Sequence, residues 1–306
     1  MFRQRVRTTA SRHRRGLAPW IVLLAGLALS AGRATALDVS TCGTVVPAGN
    51  TGVLQADLDC TGTGFDDPAV QLGSGAILEM NGHRIDHPEV PGDLYGFGVR
   101  CPGGKCTIQG PGEITGDLVG IEGPKLVVND LMIHDTVLGI AALRVTLDPD
   151  GGVVAVKYGD LLATNVTVIA NGSGILARSV RASGITVSQS EQFGIQAKKV
   201  RGTMITANDN GWVGIATEQC NVDGLTATGN GAFAALFGGG VEVYRGTARL
   251  RNATLTGNLA FVDGALVNGD IVAVRTPRLE NVVCDHSVRI VQLGQSAGSL
   301  GVCSGD

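Results

Sequence analysis

The stretch Gly184–Thr217 reads "GITVSQSEQFGIQAKKVRGTMITANDNGWVGIAT" and contains the repeat that decides the fold. The dipeptide Gly-Ile recurs every 20 residues, starting at Gly174, Gly194 and Gly214. The residues around each copy keep the same spacing, with rows of small or apolar side chains separated by rows of polar ones. A fixed period of this length is typical of a solenoid, in which each repeat is one turn of chain stacked on the last.

Alternation of apolar and polar positions within each copy predicts short strands that bury one face. The predicted inward rows are Val180, Val200 and Cys220; Ala182, Gly202 and Val222; Ile185, Ile205 and Leu225; and Phe193, Val213 and Phe233. A polar row is predicted at a sharp bend, where stacked side chains satisfy turn backbone. Its predicted members are Asp135, Asn171, Ser190, Asn210 and Asn230. Between Gly139 and Gly174 the spacing grows to 35 residues, so the stretch near "LDPDGGVVAVKYGD" is predicted to bulge out as a loop.

Two kinds of stretch resemble a known family. The coils "ITANDNGWVGIAT" (205–217) and "LTATGNGAFAAL" (225–236) resemble repeats of right-handed parallel β-helix proteins, the pectate-lyase-like superfamily. The stretches "CGTVVPAGNTGVLQADLDCTGTG" (42–64) and "AILEMNGHRI" (76–85) resemble the start of secreted bacterial proteins with this domain. The resemblance covers most of residues 38–306. It implies an all-β fold, a right-handed single-stranded parallel β-helix of about ten coils.

The predicted organisation has three parts. Residues 1–36 have a basic start, a short apolar run and a small-x-small site at Ala34-Thr35-Ala36, which is the order of a secretory signal peptide. Residues 37–80 are predicted to form an N-terminal cap and first coil, and residues 81–306 the β-helix. Arg14-Arg15 leaves twin-arginine export open beside the general secretory route. The predicted location is therefore secreted or periplasmic.

The charge balance changes once the signal peptide is removed. Seven of the 24 basic residues and none of the 27 acidic residues lie in residues 1–36, so the remaining chain carries a net charge of −10. A negative chain repels nucleic acid and anionic lipid, and no other stretch reaches the ~20 apolar residues of a membrane span. We therefore predict neither a nucleic-acid partner nor a membrane span, while the oligomeric state stays open.

All seven cysteines follow residue 36, and an exported chain permits disulfides. Spacing favours three bridges, although it does not fix connectivity. The predicted pairs are Cys42 with Cys60, Cys101 with Cys106, and Cys284 with Cys303. Cys220 is left over, and its place in the row of Val180 and Val200 predicts a small buried apolar group rather than a reactive thiol.

Basic residues cluster on the outward positions of neighbouring coils, in a chain that is otherwise acidic. The predicted substrate-binding residues are Arg144, Arg178, Arg181, Lys198, Lys199 and Arg201. One interpretation is a charge ladder that keeps a flat sheet soluble. The other is a groove for an acidic polysaccharide, whose carboxylates would pair with arginine in bidentate fashion.

The resemblance also bears on chemistry. In β-helix glycosidases resembling polygalacturonase, catalytic aspartates stand immediately before the strand that Gly-Ile opens. The corresponding residues here are Leu138, Ser173, Phe193, Val213 and Phe233, and none is acidic. Hydrolysis needs two carboxylates, so any activity is predicted to be that of a polysaccharide lyase or epimerase. The candidate catalytic residues are Arg178, Lys198 and Glu218. No metal site or cofactor is evident, although the resemblance implies Ca²⁺ for a lyase.

Three functional hypotheses follow. The first is a secreted β-helix that binds or acts on acidic extracellular polysaccharide. The second is a non-catalytic surface scaffold or adhesin, for which a smooth repeat is enough. The third is a periplasmic accessory β-helix, like that of copper-site assembly, against which the scattered histidines and the single free cysteine count. Whether the protein is an enzyme stays open at this stage.

Overall fold

The chain winds through a series of short strands, each paired with the equivalent strand one coil earlier and one coil later. The computed structural model describes residues 36–61, 67–86, 96–116, 118–147, 153–233, 238–292 and 295–306. Apart from Ala36, the predicted signal peptide lies outside these residues. The described residues form strands and turns and no α-helix, so none of them offers a helix able to cross a membrane.

The strands become longer towards the middle of the chain. The N-terminal ones are β1 (Leu37–Val39), β2 (Thr44–Val46), β3 (Thr51–Leu54), β4 (Leu58–Asp59), β5 (Pro68–Leu72), β6 (Ile77–Glu79), β7 (Arg84–Asp86) and β8 (Phe97–Arg100). The middle ones are β9 (Lys105–Thr115), β10 (Val119–Glu122), β11 (Lys125–His134), β12 (Leu138–Leu147), β13 (Val153–Tyr158), β14 (Asp160–Ile169), β15 (Ser173–Ser188), β16 (Phe193–Asn208) and β17 (Val213–Thr228). The C-terminal ones are β18 (Gly239–Val243), β19 (Ala248–Thr256), β20 (Leu259–Val262), β21 (Ala265–Asn268), β22 (Ile271–Ala273), β23 (Arg278–Cys284), β24 (Ser287–Gln292) and β25 (Gln295–Ser299).

Parallel pairing between coils builds three faces. The first face contains β2, β5, β8, β10, β12, the starts of β15 to β17, β18, β22 and β24. The second face contains β1, β3, β6, the first halves of β9, β11 and β14, the middles of β15 to β17, and the starts of β19 and β23. The third face contains β4, β7 and the last parts of β9, β11, β14 to β17, β19 and β23.

The predicted fold class is confirmed: the protein is an all-β parallel β-helix. Residues 37–80, predicted as a cap and first coil, contain β1 to β6, which pair in parallel within the same sheet as the later coils. The number of coils and the domain boundaries stay predictions.

The Gly-Ile repeat has a steric cause at the glycine. A Cβ atom on Gly174 would lie 2.5 Å from the carbonyl oxygen of Gly194, and one on Gly194 would lie 2.6 Å from that of Gly214. The same Cβ on Gly194 would lie 2.8 Å from the side-chain amide of Asn210. Because these neighbours are backbone and a buried amide, only glycine lets one coil approach the next here. The isoleucine that follows points into the core, where Ile175, Ile195 and Ile215 are no more than 1% exposed.

The predicted inward rows that begin at Val180, Ala182 and Ile185 are confirmed through β17, whereas Phe193 and Val213 are buried in a separate apolar cluster outside the main core. Val180 pairs with Val200, and Val200 with Cys220, whose exposed fraction is 2%. Burial raises the pKa of the Cys220 thiol to about 12, so it stays protonated and apolar.

The prediction that Phe233 lies in an inward row was wrong. Val213 pairs with Gly239 instead, and Phe233 is 74% exposed, because extra residues before β18 interrupt the 20-residue spacing.

A ladder of buried polar side chains lines the corner between the third and first faces. Thr136 donates to the Asn171 side chain, Ser190 donates to Asn210, Asn210 to Asn230, Asn230 to Asn258, and Asn258 to Asp270. The prediction for Asp135 was off by one residue. Thr136 takes that place, while Asp135 is exposed and adopts the left-handed turn conformation just before it, at φ 53°.

The three predicted disulfides are all present, and Cys220 is the free thiol of the described residues. Cys42–Cys60 lies in the first coils and Cys284–Cys303 in the last strands, so these two bridges hold chain near the two ends of the described β-helix. Disulfides form and persist in oxidising compartments, which agrees with an extracellular or periplasmic location.

The predicted loop between Gly139 and Gly174 is in part a hairpin. β13 pairs antiparallel with the end of β12, with Leu143 opposite Tyr158 and Arg144 opposite Lys157. The chain then rejoins the β-helix at β14, whose Asp160 pairs with Lys125. Residues 148–152, at the centre of the predicted loop, lie outside the described residues.

Candidate functional site

A series of exposed basic residues runs across the outward side of the second face, and we call it the basic ladder. Its members come from two adjoining outward rows. Within each row, parallel pairing places equivalent residues of successive coils about 4.8 Å apart. Its members are Lys105, Lys125, Arg181, Lys199, Arg201, Arg249 and Arg278. Lys105 pairs directly with Lys125, Arg181 with Arg201, and Arg249 with Arg278.

One carboxylate, that of Asp160, lies in the same outward row as Lys125, but its ion pair is with Arg178, outside the basic ladder. Within the described part of the chain, none of its members lies within ion-pair distance of a carboxylate. Like charges placed opposite each other on a sheet are destabilising. The paired cations therefore cost stability rather than add it, and an anionic ligand would relieve that repulsion.

A recess of about 410 Å³ opens on this face beside the basic ladder. Basic residues line it at Lys105, Lys125 and Arg181, and Val127 and Leu162 supply apolar surface. Asp160 also lines it, with its carboxylate paired to Arg178. Leu162 is 45% exposed, so burial in the core does not explain an apolar residue at this outward position. Cations around an apolar floor match a sugar acid, which carries a carboxylate on a ring with aliphatic C–H groups.

Sequence reasoning found Arg181, Lys199 and Arg201 and missed the other four members. The 20-residue period is the signal that located the three. Lys105 and Lys125 also lie 20 apart and could have been found in the same way. Arg249 and Arg278 follow spacings of 28 and 29 residues, which a fixed period does not reveal.

Arg178, predicted for both binding and catalysis, lies at the corner between the first and second faces. Its guanidinium forms a bidentate ion pair with Asp160, with Nη2 2.7 Å and Nε 3.2 Å from the two carboxylate oxygens. The hydrogen bond and the charge of Asp160 raise the pKa of Arg178. The side chain is therefore held as a cation, which suits binding rather than proton abstraction.

Arg144 lies away from the basic ladder, on the hairpin that leaves the first face. It is exposed and lines a small recess together with Arg100 and Glu122. Arg100 Nε is 3.0 Å from Glu122 Oε2, and its guanidinium lies 4.7 Å from the centre of the Phe97 ring. The structure thus places Arg144 beside a structural ion pair.

Lys198 lines a second recess, of about 130 Å³, on the first face. Its other walls are Tyr158 from the hairpin and Tyr244 from the end of β18, above Leu176, Ala177, Gln196 and Ala197. Tyr244 is partly buried, and burial together with the charges of Glu218 and Glu242 raises its pKa. The candidate catalytic residues Lys198 and Glu218 therefore lie on or next to this recess. Sequence reasoning missed both tyrosines.

Glu242 is the most unusual carboxyl group near this recess. It occupies an outward position on β18, in register with Ala216, yet only 3% of it is exposed. Its Oε2 atom has no hydrogen-bond partner among the described residues. Burial raises the pKa of Glu242 to about 7, against a smaller opposing effect of the Gly238 backbone N–H. A carboxyl group with such a pKa exchanges protons near neutral pH.

A histidine is held between two carboxylates on the third face. His134 Nε2 lies 2.8 Å from Glu113 Oε1, and Nδ1 lies 2.6 Å from Asp135 Oδ2. Burial lowers the His134 pKa, but the hydrogen bonds that the ring donates to these two carboxylates outweigh it, so the net pKa is raised. Across the described ranges, no group of three or more His, Cys, Asp or Glu side chains is arranged to hold a metal ion.

Comparison with known proteins bears on the fold alone. No family model matches the chain, and no curated protein matches it. Among solved structures, the chain is similar to the A-module of the Azotobacter vinelandii mannuronan C-5 epimerase AlgE4, with 13% identity, a TM-score of 0.42, and coverage of 82% of this chain and 87% of that one. The A-module of the epimerase AlgE6 from the same organism gives 12% identity, a TM-score of 0.34, and coverage of 78% and 77%. Similarity at this level says nothing about the activity of this chain.

Proposed function

We propose that this protein is a secreted β-helix that binds acidic polysaccharide along the basic ladder. The observation that supports the proposal best is the set of unpaired, register-aligned cations on the second face of a chain that carries a net charge of −10 without residues 1–36. Solubility alone does not require cations to be stacked on one face. An extended polyanion offers regularly spaced carboxylates to such a row, and each arginine can take one in bidentate fashion.

For chemistry at an end or side branch of such a chain we propose elimination or epimerisation rather than hydrolysis, because the first-face positions ahead of the Gly-Ile repeat carry no acid. Of the three candidate catalytic residues, Arg178 has an ion-pair role with Asp160. Lys198 and Glu218 are the ones that adjoin the Tyr244 recess. Absorbance of unsaturated uronide products would detect elimination, and loss of that signal in Lys198→Met would assign it to this residue.

The binding proposal is tested with polygalacturonate, mannuronan and neutral dextran at low and high salt. We expect the acidic polymers to bind and dextran not to bind. Binding should weaken as salt rises, because exposed charges are screened beyond ~8–10 Å at physiological ionic strength. The double variant Arg181→Ala/Arg201→Ala should weaken binding about tenfold, at about 0.7 kcal/mol per exposed contact.

A charge-matched control is Arg84→Ala/Arg289→Ala, which removes two cations outside the basic ladder. Arg84 pairs with Asp86 on the third face, and Arg289 lies on the first face. We expect this variant to bind as the unmodified protein does. Equal binding of dextran and the acidic polymers, or unchanged affinity in the ladder variant, would favour the surface-scaffold hypothesis instead.

A further inference from the structure

The floor of the recess between the two tyrosines lies on two successive coils of the first face. Leu176 and Gln196 pair in register there at outward positions, whereas Ala177 and Ala197 beside them belong to the buried core. The outward row therefore supplies one apolar side chain and one amide to the floor.

Phenol rings from two separate elements line this recess. Tyr158 stands opposite Leu143 on the hairpin that extends β12, and Tyr244 follows directly after β18. From β12 to β18 the first face advances by four coil steps, which is about 19 Å at ~4.8 Å per step. Tyr158 and Tyr244 nevertheless line the same recess of about 130 Å³. Both side chains therefore reach the same recess from different coils.

The polar groups of the recess sit between the two rings. Gln196 brings an amide that both donates and accepts hydrogen bonds. Lys198 brings an exposed ammonium group that has no ion-pair partner among the described residues. Aromatic walls with a few convergent polar groups are the usual composition of a small-molecule site. The volume is well below that of a drug-sized pocket, which runs from about 300 Å³ upward.

We infer that this recess binds one acidic sugar ring at a time, as a free monosaccharide, a chain end or a side branch. Phenol faces pack against the C–H groups of the ring, Gln196 bonds its hydroxyl groups, and Lys198 pairs with its carboxylate. A chain running along the first face would meet Tyr158 at one end and Tyr244 at the other, so an internal residue does not fit. The inference rests on the proposed function for the acidity of the ligand, but it involves a different face from the basic ladder.

The test is a titration with methyl galacturonide and methyl mannuronide, followed by NMR of protein labelled at tyrosine. Signals of Tyr158 and Tyr244 are assigned from the variants Tyr158→Phe and Tyr244→Phe. We expect a monosaccharide to shift both signals, and a hexamer to bind at this recess with the same affinity as the monomer. An affinity that rises with chain length at the recess would overturn the single-ring inference.

Variants separate the contributions of stacking and charge. Tyr158→Ala should weaken monosaccharide binding about tenfold, whereas Tyr158→Phe keeps the aromatic face and should bind normally. Lys198→Met should weaken binding of the acidic sugar about tenfold and abolish its advantage over neutral methyl galactoside. Lys157→Met is the matched control, since Lys157 adjoins Tyr158 but does not line the recess, and it should bind normally.

The two proposals fail separately in this design. Loss of polymer binding in the ladder variant with no monosaccharide binding at the recess supports the ladder and overturns the recess. Monosaccharide binding that depends on Tyr158 and Lys198 supports the recess even if the ladder variant binds polymer normally. Equal affinity for the acidic and neutral monosaccharides would overturn the acidic-sugar assignment.

Discussion

Single residues in this protein are constrained mainly by the residue one coil away. At the corner between the second and third faces, successive coils place one residue each in the left-handed conformation. These residues are Asp130, Asn165, Gly184, Met204, Gly224, Asn252 and Asn281, with φ between 49° and 73°. Glycine, asparagine and aspartate adopt this conformation at little cost, whereas methionine adopts it at a cost in free energy. Met204 is also 62% exposed, so no core contact requires it.

We expect Met204→Asn to stabilise the protein by about 0.5–1 kcal/mol, because the left-handed conformation costs a side chain such as methionine roughly 1–2 kcal/mol. Denaturant unfolding measures the change. The control is Met132→Asn, at a position 44% exposed within β11 that is not left-handed. There asparagine has poor strand propensity and should not stabilise. A destabilised Met204→Asn variant would show that its left-handed backbone is not a cost.

At the scale of an element, the buried polar ladder joins each coil to the next. Asn230 is 1% exposed and accepts hydrogen bonds from the backbone N–H and the side-chain amide of Asn210, at 3.0 and 2.9 Å. Its own amide donates to Ala207 and to the Asn258 side chain, both at 2.8 Å. Substituting one member therefore leaves polar groups of two neighbouring coils without partners.

We expect Asn230→Ala to destabilise the protein by about 3 kcal/mol or more, since each buried group left unpaired costs ~1–3 kcal/mol. Asn221→Ala provides the control, because Asn221 is exposed on the second face and its loss should change stability by less than ~0.5 kcal/mol. Equal effects of the two substitutions in denaturant unfolding would contradict a structural role for the ladder.

These elements show why part of the structure could be predicted from the sequence. β15, β16 and β17 repeat without insertions, so the rows of Val180 and Asn210 are visible as a 20-residue period. Extra residues after β17 change the spacing to 28 between Asn230 and Asn258. The period therefore predicts the early ladder and misses its end. Tyr158 and Tyr244 were missed because long-range folding of two insertions, rather than any local motif, brings them together.

At the scale of the whole molecule, three groups make stability depend on pH. The folded-state pKa of Glu242 is raised from 4.5 to about 7 by burial, so its contribution is complete below about 4.5 and is lost as pH rises to about 7. The raised pKa of His134 acts in the same direction, with loss as pH rises through its folded value. Burial would raise the pKa of Asp306, but hydrogen bonds from Ser287, Cys303 and Val302 outweigh it and lower the pKa from 3.8 to about 2. Its contribution is lost as pH falls through that range.

We therefore expect maximum stability near pH 4, with a decline between about pH 4.5 and 7, the range between the unfolded and folded pKa values of Glu242. Glu242→Gln should remove most of that decline and stabilise the protein at pH 8 by about 3 kcal/mol, from a shift of ~2.5 units at ~1.4 kcal/mol each. At pH 4.5 the same variant should be close to neutral. Thermal unfolding across this pH range measures both. A stability curve of unchanged shape in Glu242→Gln would rule out a buried, proton-retaining carboxyl group.

The buried polar ladder also has a direction. Ser190, Asn210 and Asn230 each donate to the next coil towards the C-terminus, and the series ends at Asp270, whose carboxylate accepts from Asn258 and from the backbone N–H groups of Asp285 and His286. A carboxylate can only accept, so the last step is unique whereas the interior steps are interchangeable. A duplicated copy of residues 210–229 placed ahead of Asn230 would lengthen the β-helix by one step of about 4.8 Å and would repeat the Asn-to-Asn contact that the ladder already contains. Gene duplication can therefore change the length of the β-helix in steps of one whole coil, while Asp270 remains the last acceptor of the ladder.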